Sequence, residues 1–224
     1  MDNKGVPLGA FPFCAFKGVF LLNIKQNLVG ASKYGIKCPY AMIPQYITIH
    51  NTANDASAEN EIAYMIRNDS TTSFHYAVDD LGAVQGIPLN RNAWHCGNDK
   101  GNKKSIAVEI CYSKSGGDKF NKAYANALEL TAQLMKQYNI PASNIMYHKT
   151  WNGKNCPHRL LEMGVTVEDY RKRAQAKYNT MYKGASNKLY TVQIGAYTKR
   201  ENAEKALAAA KKAGLSAFIK ETTP

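Results

Sequence analysis

The order of apolar and polar positions predicts most of the elements between residues 46 and 177. Tyr46-Ile47-Thr48-Ile49 is a run of β-formers and reads as a buried strand. A helix follows, with Asp55 or Ser57 as its cap and Glu59 and Glu61 in its first turn. Ile62, Met65 and Ile66 form its apolar face. Phe74 to Val78 is a second strand, Leu81-Gly82 turns after Asp79-Asp80, and Ala83 to Ile87 returns as a third. Ile106 to Cys111 is a fourth, strongly apolar strand. Phe120, Tyr124, Ala127, Thr131, Leu134 and Tyr138 recur at helical spacing and predict a long helix from about Lys119 to Tyr138, stopped by Asn139 and Pro141. Ile145 to Tyr147 is a short strand, and Thr166-x-x-Asp169 opens a helix through about Lys177. Strands that alternate with helices predict an α/β domain with a mixed central β-sheet flanked by helices, over residues 23–177.

Residues 178–188 read as a linker, and a second pattern begins after them. Tyr190, Val192 and Ile194 alternate with polar residues as a strand does. Thr198-x-x-Glu201 forms a capping box, Ala203 to Ala213 a helix ended by Gly214, and Ser216 to Lys220 another strand. This is a small C-terminal strand-helix-strand module, residues 189–224. Two strands and one helix are marginal alone, so weak order is expected unless the module dimerises or binds a ligand.

Residues 1–22 are an extension with an apolar stretch from Val6 to Phe16, interrupted by Lys17. No small-residue cleavage site follows, so the stretch fits a secretory signal poorly, and synthesis in the cytoplasm is expected. Lys17-Gly18-Val19 can be encoded by a purine-rich ribosome-binding sequence, with Leu22 as a TTG start. On that reading the extension is not native.

Charge changes the picture only a little. The chain is 224 residues long, with 29 basic and 17 acidic side chains for a net charge of +12. Residues 178–224 hold eight basic and three acidic side chains, the densest positive segment. Such a balance favours polyanions, among them nucleic acid and an anionic cell wall. No nucleic-acid motif accompanies the charge, so no nucleic-acid partner is expected. No apolar run approaches the roughly 18 residues of a membrane span, so no membrane insertion is expected. Five cysteines at irregular spacings do not make a disulfide framework and suit a reducing compartment.

Three residue types that bind zinc stand at telling places. His50 ends the first strand, and His148 and Cys156 flank a tight segment that Gly153 lets turn back. Two imidazoles and one thiolate fit a tetrahedral zinc with one open position, the catalytic arrangement. Taken singly, a histidine at a strand end is more often structural, and a lone cysteine more often an apolar filler.

The motifs around these residues resolve that choice. Ile47-Thr48-Ile49-His50-Asn51-Thr52-Ala53 resembles the opening metal motif of the type-2 N-acetylmuramoyl-L-alanine amidases, which share a fold with peptidoglycan recognition proteins. Ser73-Phe74-His75-Tyr76 with Asp80-Leu81-Gly82 is similar to the family's next strand pair. Arg91 to Gly97 resembles its Trp-His-x-Gly segment, Ser105 to Glu109 its Ser-Ile-Gly-Ile-Glu strand, and His148 to Pro157 its closing metal motif. The stretch Gln26 to Met42, with Lys33 to Pro39 within it, resembles the leader of such amidases from Gram-positive bacteria and their phages. The resemblance implies that His50, His148 and Cys156 bind Zn2+, that Glu109 is the general base, and that Lys154 stabilises the oxyanion. Some relatives carry Asp where Cys156 stands; either ligand brings one negative charge. Certain phage members have a catalytic Tyr where this chain has Phe74, which lacks the hydroxyl. His75 and His95 either line the substrate groove or are satisfied structural histidines, and Trp94 either stacks on a sugar or packs in the core.

Leu189 to Tyr197, Glu201-Asn202-Ala203 and Ala213-Gly214-Leu215 resemble the start of a SPOR domain, a module that binds glycan strands. The resemblances together imply a zinc amidase that cuts peptidoglycan between N-acetylmuramic acid and L-alanine. Such an enzyme would reach the wall through a phage-type membrane pore. The competing reading is a non-catalytic peptidoglycan-binding protein on the same fold.

Overall fold

The computed structural model describes residues 21–183, 195–213 and 218–221. The chain divides into two compact units, up to residue 185 and from residue 186 onward.

The first unit runs β1 (Ile24–Gln26), α1 (Tyr34–Lys37), β2 (Tyr46–Asn51), α2 (Ala58–Arg67), β3 (Tyr76–Asp79), β4 (Gly82–Gln85), α3 (Asp99–Lys104), β5 (Ser105–Ile110), α4 (Gly117–Tyr138), β6 (Ile145–Tyr147), α5 (His148–Asn152), α6 (His158–Glu162) and α7 (Val167–Tyr178). Six strands form one sheet in the order β1-β4-β3-β5-β2-β6. Every neighbouring pair is parallel except the β3–β4 hairpin. The expected mixed sheet is therefore present.

The inner strands are covered on both faces, which is why β2 and β5 are buried almost throughout rather than alternating. Ile106, Val108 and Ile110 of β5 join Ile47 and Ile49 of β2 in a core with Phe120, Leu130 and Leu134 of α4 and Tyr170 of α7. Ala107 and Cys111 point the other way, into a smaller core with Ile62 and Met65 of α2. Glu109 lies between Ala107 and Cys111, so strand periodicity puts it on this thinner side.

Local chemistry fixes the helix ends. Ser57 caps α2, its hydroxyl accepting from the Asn60 N–H at 3.3 Å. Asp55 instead accepts from the N–H and hydroxyl of Ser115 at 2.8 and 2.6 Å. One Asp79 carboxylate serves two elements. It accepts from the Leu81 and Gly82 amides in the hairpin turn, at 2.9 and 3.2 Å, and from the Ala58 amide at the start of α2, at 2.9 Å. Gly82 has φ +147° and sits against β1: a Cβ there would lie 2.5 Å from the Asn23 carbonyl oxygen. The Thr166 capping box forms as expected.

Several boundaries differ from the sequence reading. β3 starts at Tyr76, not Phe74, because Ser73 is drawn aside: its amide donates to the Trp94 carbonyl and its hydroxyl accepts from the Trp94 amide. β4 ends at Gln85, not Ile87. The expected linker starts too early: Tyr178 closes α7, and Asn179–Lys183 continue as a π-helical turn that buries Met181. In the second unit α8 (Arg200–Lys212) is present, but Lys199 is its N-cap and no side chain caps it, so the Thr198 capping box does not form. The strand expected over 190–194 lies outside the described residues. Of the strand expected over 216–220, residues 218–220 are described and are not in a strand.

The leader has a structural task that periodicity did not disclose. Lys33 Nζ donates to the Ile66 and Arg67 carbonyls at 3.0 and 2.8 Å, the free carbonyls that end α2. Lys37 is fully buried and donates to Asn68 Oδ1 at 3.0 Å, to the Thr72 carbonyl at 3.2 Å and to the Ser70 carbonyl. Replacing Lys37 with Met strands these acceptors. The expected cost is roughly 3 kcal/mol, or about 10 °C in Tm. Urea unfolding checks it, and a change below about 0.5 kcal/mol contradicts this role for Lys37.

Candidate metal centre

Parallel strands bring their carboxyl ends to one edge of the sheet, the usual place for a site in an open α/β fold. His50 and Glu109 are register partners near the ends of β2 and β5. Tyr147, the last residue of β6, is the register partner of Ile49. His148 therefore emerges beside His50, although the two are 98 positions apart.

The segment after β6 returns Cys156 to the same point. α5 ends at Gly153, whose φ of +83° is the left-handed turn. The Lys149 amide donates to the Cys156 carbonyl at 2.9 Å and closes the loop. Two residues the sequence reading did not single out hold it down. Trp151 Nε1 donates to Thr48 Oγ1 at 2.9 Å, and Thr48 shares a 2.5 Å hydrogen bond with Ser105. Asn51 Oδ1 accepts from the Leu160 amide at 3.2 Å, and its Nδ2 donates to the His50 carbonyl. Asn51 and Leu160 are 109 positions apart, so no local pattern signals the pairing.

His50, His148 and Cys156 are all buried, and their ligand atoms lie within 4.8 Å of one another. His50 Nδ1 is 3.1 Å from His148 Nδ1, 3.7 Å from Cys156 Sγ and 3.9 Å from Glu109 Oε1. Glu109 Oε2 and His148 Nε2 are buried without a hydrogen-bond partner. Lys154 is exposed, on the loop between the two metal-ligand positions.

Burial pushes His50, His148, Glu109 and Cys156 toward their neutral forms. It takes His148 down to about 4, with the Lys154 ammonium adding to the effect. It takes His50 well below the usual imidazole range, helped by His95, His148 and Lys154. Burial raises the Glu109 carboxyl to about 8, Glu61 adding to the shift and Lys154 opposing it. Burial also raises the Cys156 thiol to about 12, with Glu109 contributing. Burial is the largest cause in each case; a dication among these atoms would favour thiolate and carboxylate. Neutral imidazoles, a thiol able to ionise and unsatisfied buried atoms fit a soft divalent metal with N and S ligands.

The remaining candidates separate. His75 is fully buried, and both its nitrogens are committed to backbone: Nδ1 accepts from the Ala107 amide at 2.9 Å, so Nε2 donates to the Arg91 carbonyl at 2.9 Å. Of the two roles the sequence left open for it, these bonds favour that of a satisfied structural histidine. His95 Nδ1 contacts His50 Nε2 at 3.0 Å, behind the metal position, and its own Nε2 is buried. Trp94 is half-buried, edge-on to Tyr40 at 5.9 Å. Phe74 packs in the smaller core.

Comparison with known proteins agrees with this geometry. Residues 40–159 match the family model described as N-acetylmuramoyl-L-alanine amidase, and residues 166–221 match the SPOR domain model. The second match begins in the cap of α7, ahead of residue 189 where the sequence reading placed the module. The N-acetylmuramoyl-L-alanine amidase XlyB of Bacillus subtilis is 59% identical over 63% of this chain and 45% of its own length. CwlA of the same organism is 55% identical over 66% of this chain and 55% of its own. The chain thus spans about half the length of these relatives. Among solved structures, PlyL superposes with TM-score 0.66 at 56% identity, covering 68% of this chain and 97% of that one. The catalytic domain of XlyA gives 0.62 at 41% identity, covering 68% and 99%. With more than half its residues under the amidase model, His50, His148 and Cys156 included, this chain belongs to the N-acetylmuramoyl-L-alanine amidase family.

Proposed function

We propose that the first unit holds zinc through His50, His148 and Cys156 and hydrolyses the amide bond between N-acetylmuramic acid and L-alanine in peptidoglycan. The observation that carries this reading is the meeting of two imidazoles and a thiol beside a buried, unpartnered carboxylate oxygen. The names of the relatives support the choice of substrate.

Zinc, when bound, supplies Lewis acidity and a water with a pKa near 7. Glu109, on the strand next to His50, takes the proton of the attacking water and passes it to the leaving amine of L-alanine. Burial raises its pKa and so helps the carboxyl hold the proton it has taken. Lys154 brings positive charge to the oxyanion that develops on the lactyl carbonyl. Asn51 and the Trp151–Thr48 hydrogen bond keep the Cys156 loop against β2, so the ligand atoms are placed before any metal arrives. Phe74 offers no hydroxyl and lies in the core, which leaves proton transfer to Glu109. The protein acts at the cell wall, and the SPOR-matched segment binds glycan strands. Among the described residues no helix is long and apolar enough to cross a membrane.

Product analysis on purified peptidoglycan tests the reading. New L-alanine amino groups without new reducing sugar ends are expected, abolished by a zinc chelator and restored by added zinc. New reducing ends, or chelator-resistant cleavage, overturn it. Wall binding without any product favours the non-catalytic alternative.

A further inference from the structure

Two side chains of opposite charge on α2 line one cavity, and neither has an ion-pair partner among the described residues. We infer that this cavity takes the stem peptide of the substrate, with Glu61 receiving a free ammonium group and Arg67 a carboxylate. The inference rests on the amidase reading above and adds a preference to it, for stems whose amine is not cross-linked.

The helix sorts its residues by face. Ala58, Ile62 and Met65 are buried. Glu61, Tyr64 and Arg67 recur every three residues and fall on another side. With Ala63 of the same helix and Asn54 and Ala56 of the loop before it, they line a cavity of about 370 Å³, a size within the range of ligand sites. Tyr64 is 60% exposed, so its ring offers an apolar surface between the two charges.

Neighbouring charges are neutralised where these two are not. Glu59 pairs with Lys25 at 2.5 Å, and Asp69 with Lys33 at 3.1 Å. Six residues at about 1.5 Å each set Glu61 and Arg67 roughly 9 Å apart along the helix axis. Glu61 is nevertheless held in place. Asn54 Nδ2 donates to its Oε1 at 2.6 Å, and its other oxygen is left open. A carboxylate fixed by one oxygen and open at the other is ready to accept a charge-assisted hydrogen bond.

The Glu61 end of the cavity adjoins the edge of the sheet that carries the candidate metal centre. Asn54 is four residues past His50, and its carbonyl accepts from the amide of Lys114, five residues past Glu109, at 3.4 Å. Arg67 stands at the other end, where α2 stops. The stem peptide has the same order of charges. It starts at the scissile amide, carries the ammonium group of a diamino acid further on, and ends in a carboxylate. A neutral glycan needs neither charge, and an anionic polymer is repelled by Glu61. Cross-linking turns the ammonium into a neutral amide, so a cross-linked stem forfeits the contact with Glu61.

Two soluble muramoyl-peptides test this on the zinc-loaded full chain: one lysine-containing stem with its side-chain amine free, and the same stem with that amine acetylated. The parent should favour the free amine by about fivefold in kcat/KM. Glu61→Gln keeps an acceptor for Asn54 and should bring that ratio to about one, with the change in KM rather than kcat. Arg67→Gln should leave the amine ratio in place and abolish a similar preference for stems ending in carboxylate over carboxamide. A parent indifferent to acetylation, or either variant keeping the ratio it should lose, overturns the inference while the amidase reading stands. A parent that cleaves neither peptide overturns the amidase reading, and the inference falls with it.

Discussion

Glu109→Gln should slow amide hydrolysis by about 10³-fold while zinc affinity stays within about tenfold of the parent's. Glutamine keeps the size and one acceptor of the side chain, so the packing between Ala107 and Cys111 survives. What it loses is the ability to take a proton from water and return it to an amine, a function worth about 10²- to 10⁴-fold. Glu109 Oε2 is buried without a partner, in a fold where such atoms are rare, and Oε1 lies 3.9 Å from His50 Nδ1. The carboxylate is therefore beside the metal position without being counted among its ligands. Turnover on peptidoglycan and zinc competition on the same preparation make the test. A rate within about tenfold of the parent would remove Glu109 from the chemistry. Loss of zinc in parallel with rate would make it a ligand instead.

The sheet was legible because its central strands carry the strongest local signal a sequence offers, a run of β-branched residues. Ile145–Tyr147 was placed to the residue, and β2 and β5 to within two. The long helix was legible for the same reason, with nine buried positions at helical spacing over 22 residues. The elements that went unread are short and owe their form to distant partners. α3 precedes β5 with no apolar face of its own, and α5 and α6 are five residues each, on either side of the loop that returns Cys156 to His148. β1 has three residues and is ordered by pairing with β4, nearly 60 positions on. The meeting of His50, His148 and Cys156 could be expected from motifs, but not what holds them there. Asn51, Thr48 and Trp151 act over separations of about 100 residues, beyond any local pattern. His75 and His95 looked alike in sequence and differ in the structure, because one is closed off by backbone on both nitrogens and the other by His50 on one.

Cys156 offers the sharpest separation between a site that needs an anionic ligand and one that needs only bulk. In Cys156→Ala the zinc retains two neutral imidazoles, and its affinity should drop roughly 10³-fold, with activity lost at ordinary zinc concentrations. The fold should persist in the variant, because Cys156 is one small buried side chain at the rim and the two cores on either side of the sheet do not include it. Cys156→Asp restores one negative charge through a harder donor with a bond about 0.2 Å shorter. It should recover most of the affinity, provided the loop held by Asn51 and Trp151 can follow. The two ligands differ in what binding releases. The thiol, raised to about 12 by burial, keeps its proton at neutral pH and must lose it to ligate, whereas an aspartic acid starts from a much lower pKa and is ionised in a larger share of molecules even after burial raises it. Calorimetry in buffers of different ionisation enthalpy should therefore find more proton release by the parent than by Cys156→Asp. Equal proton release, or full affinity in Cys156→Ala, would mean that the thiol does not reach the metal. The site would then be built on the two histidines and Glu109, and Glu109→Gln would lose zinc along with rate.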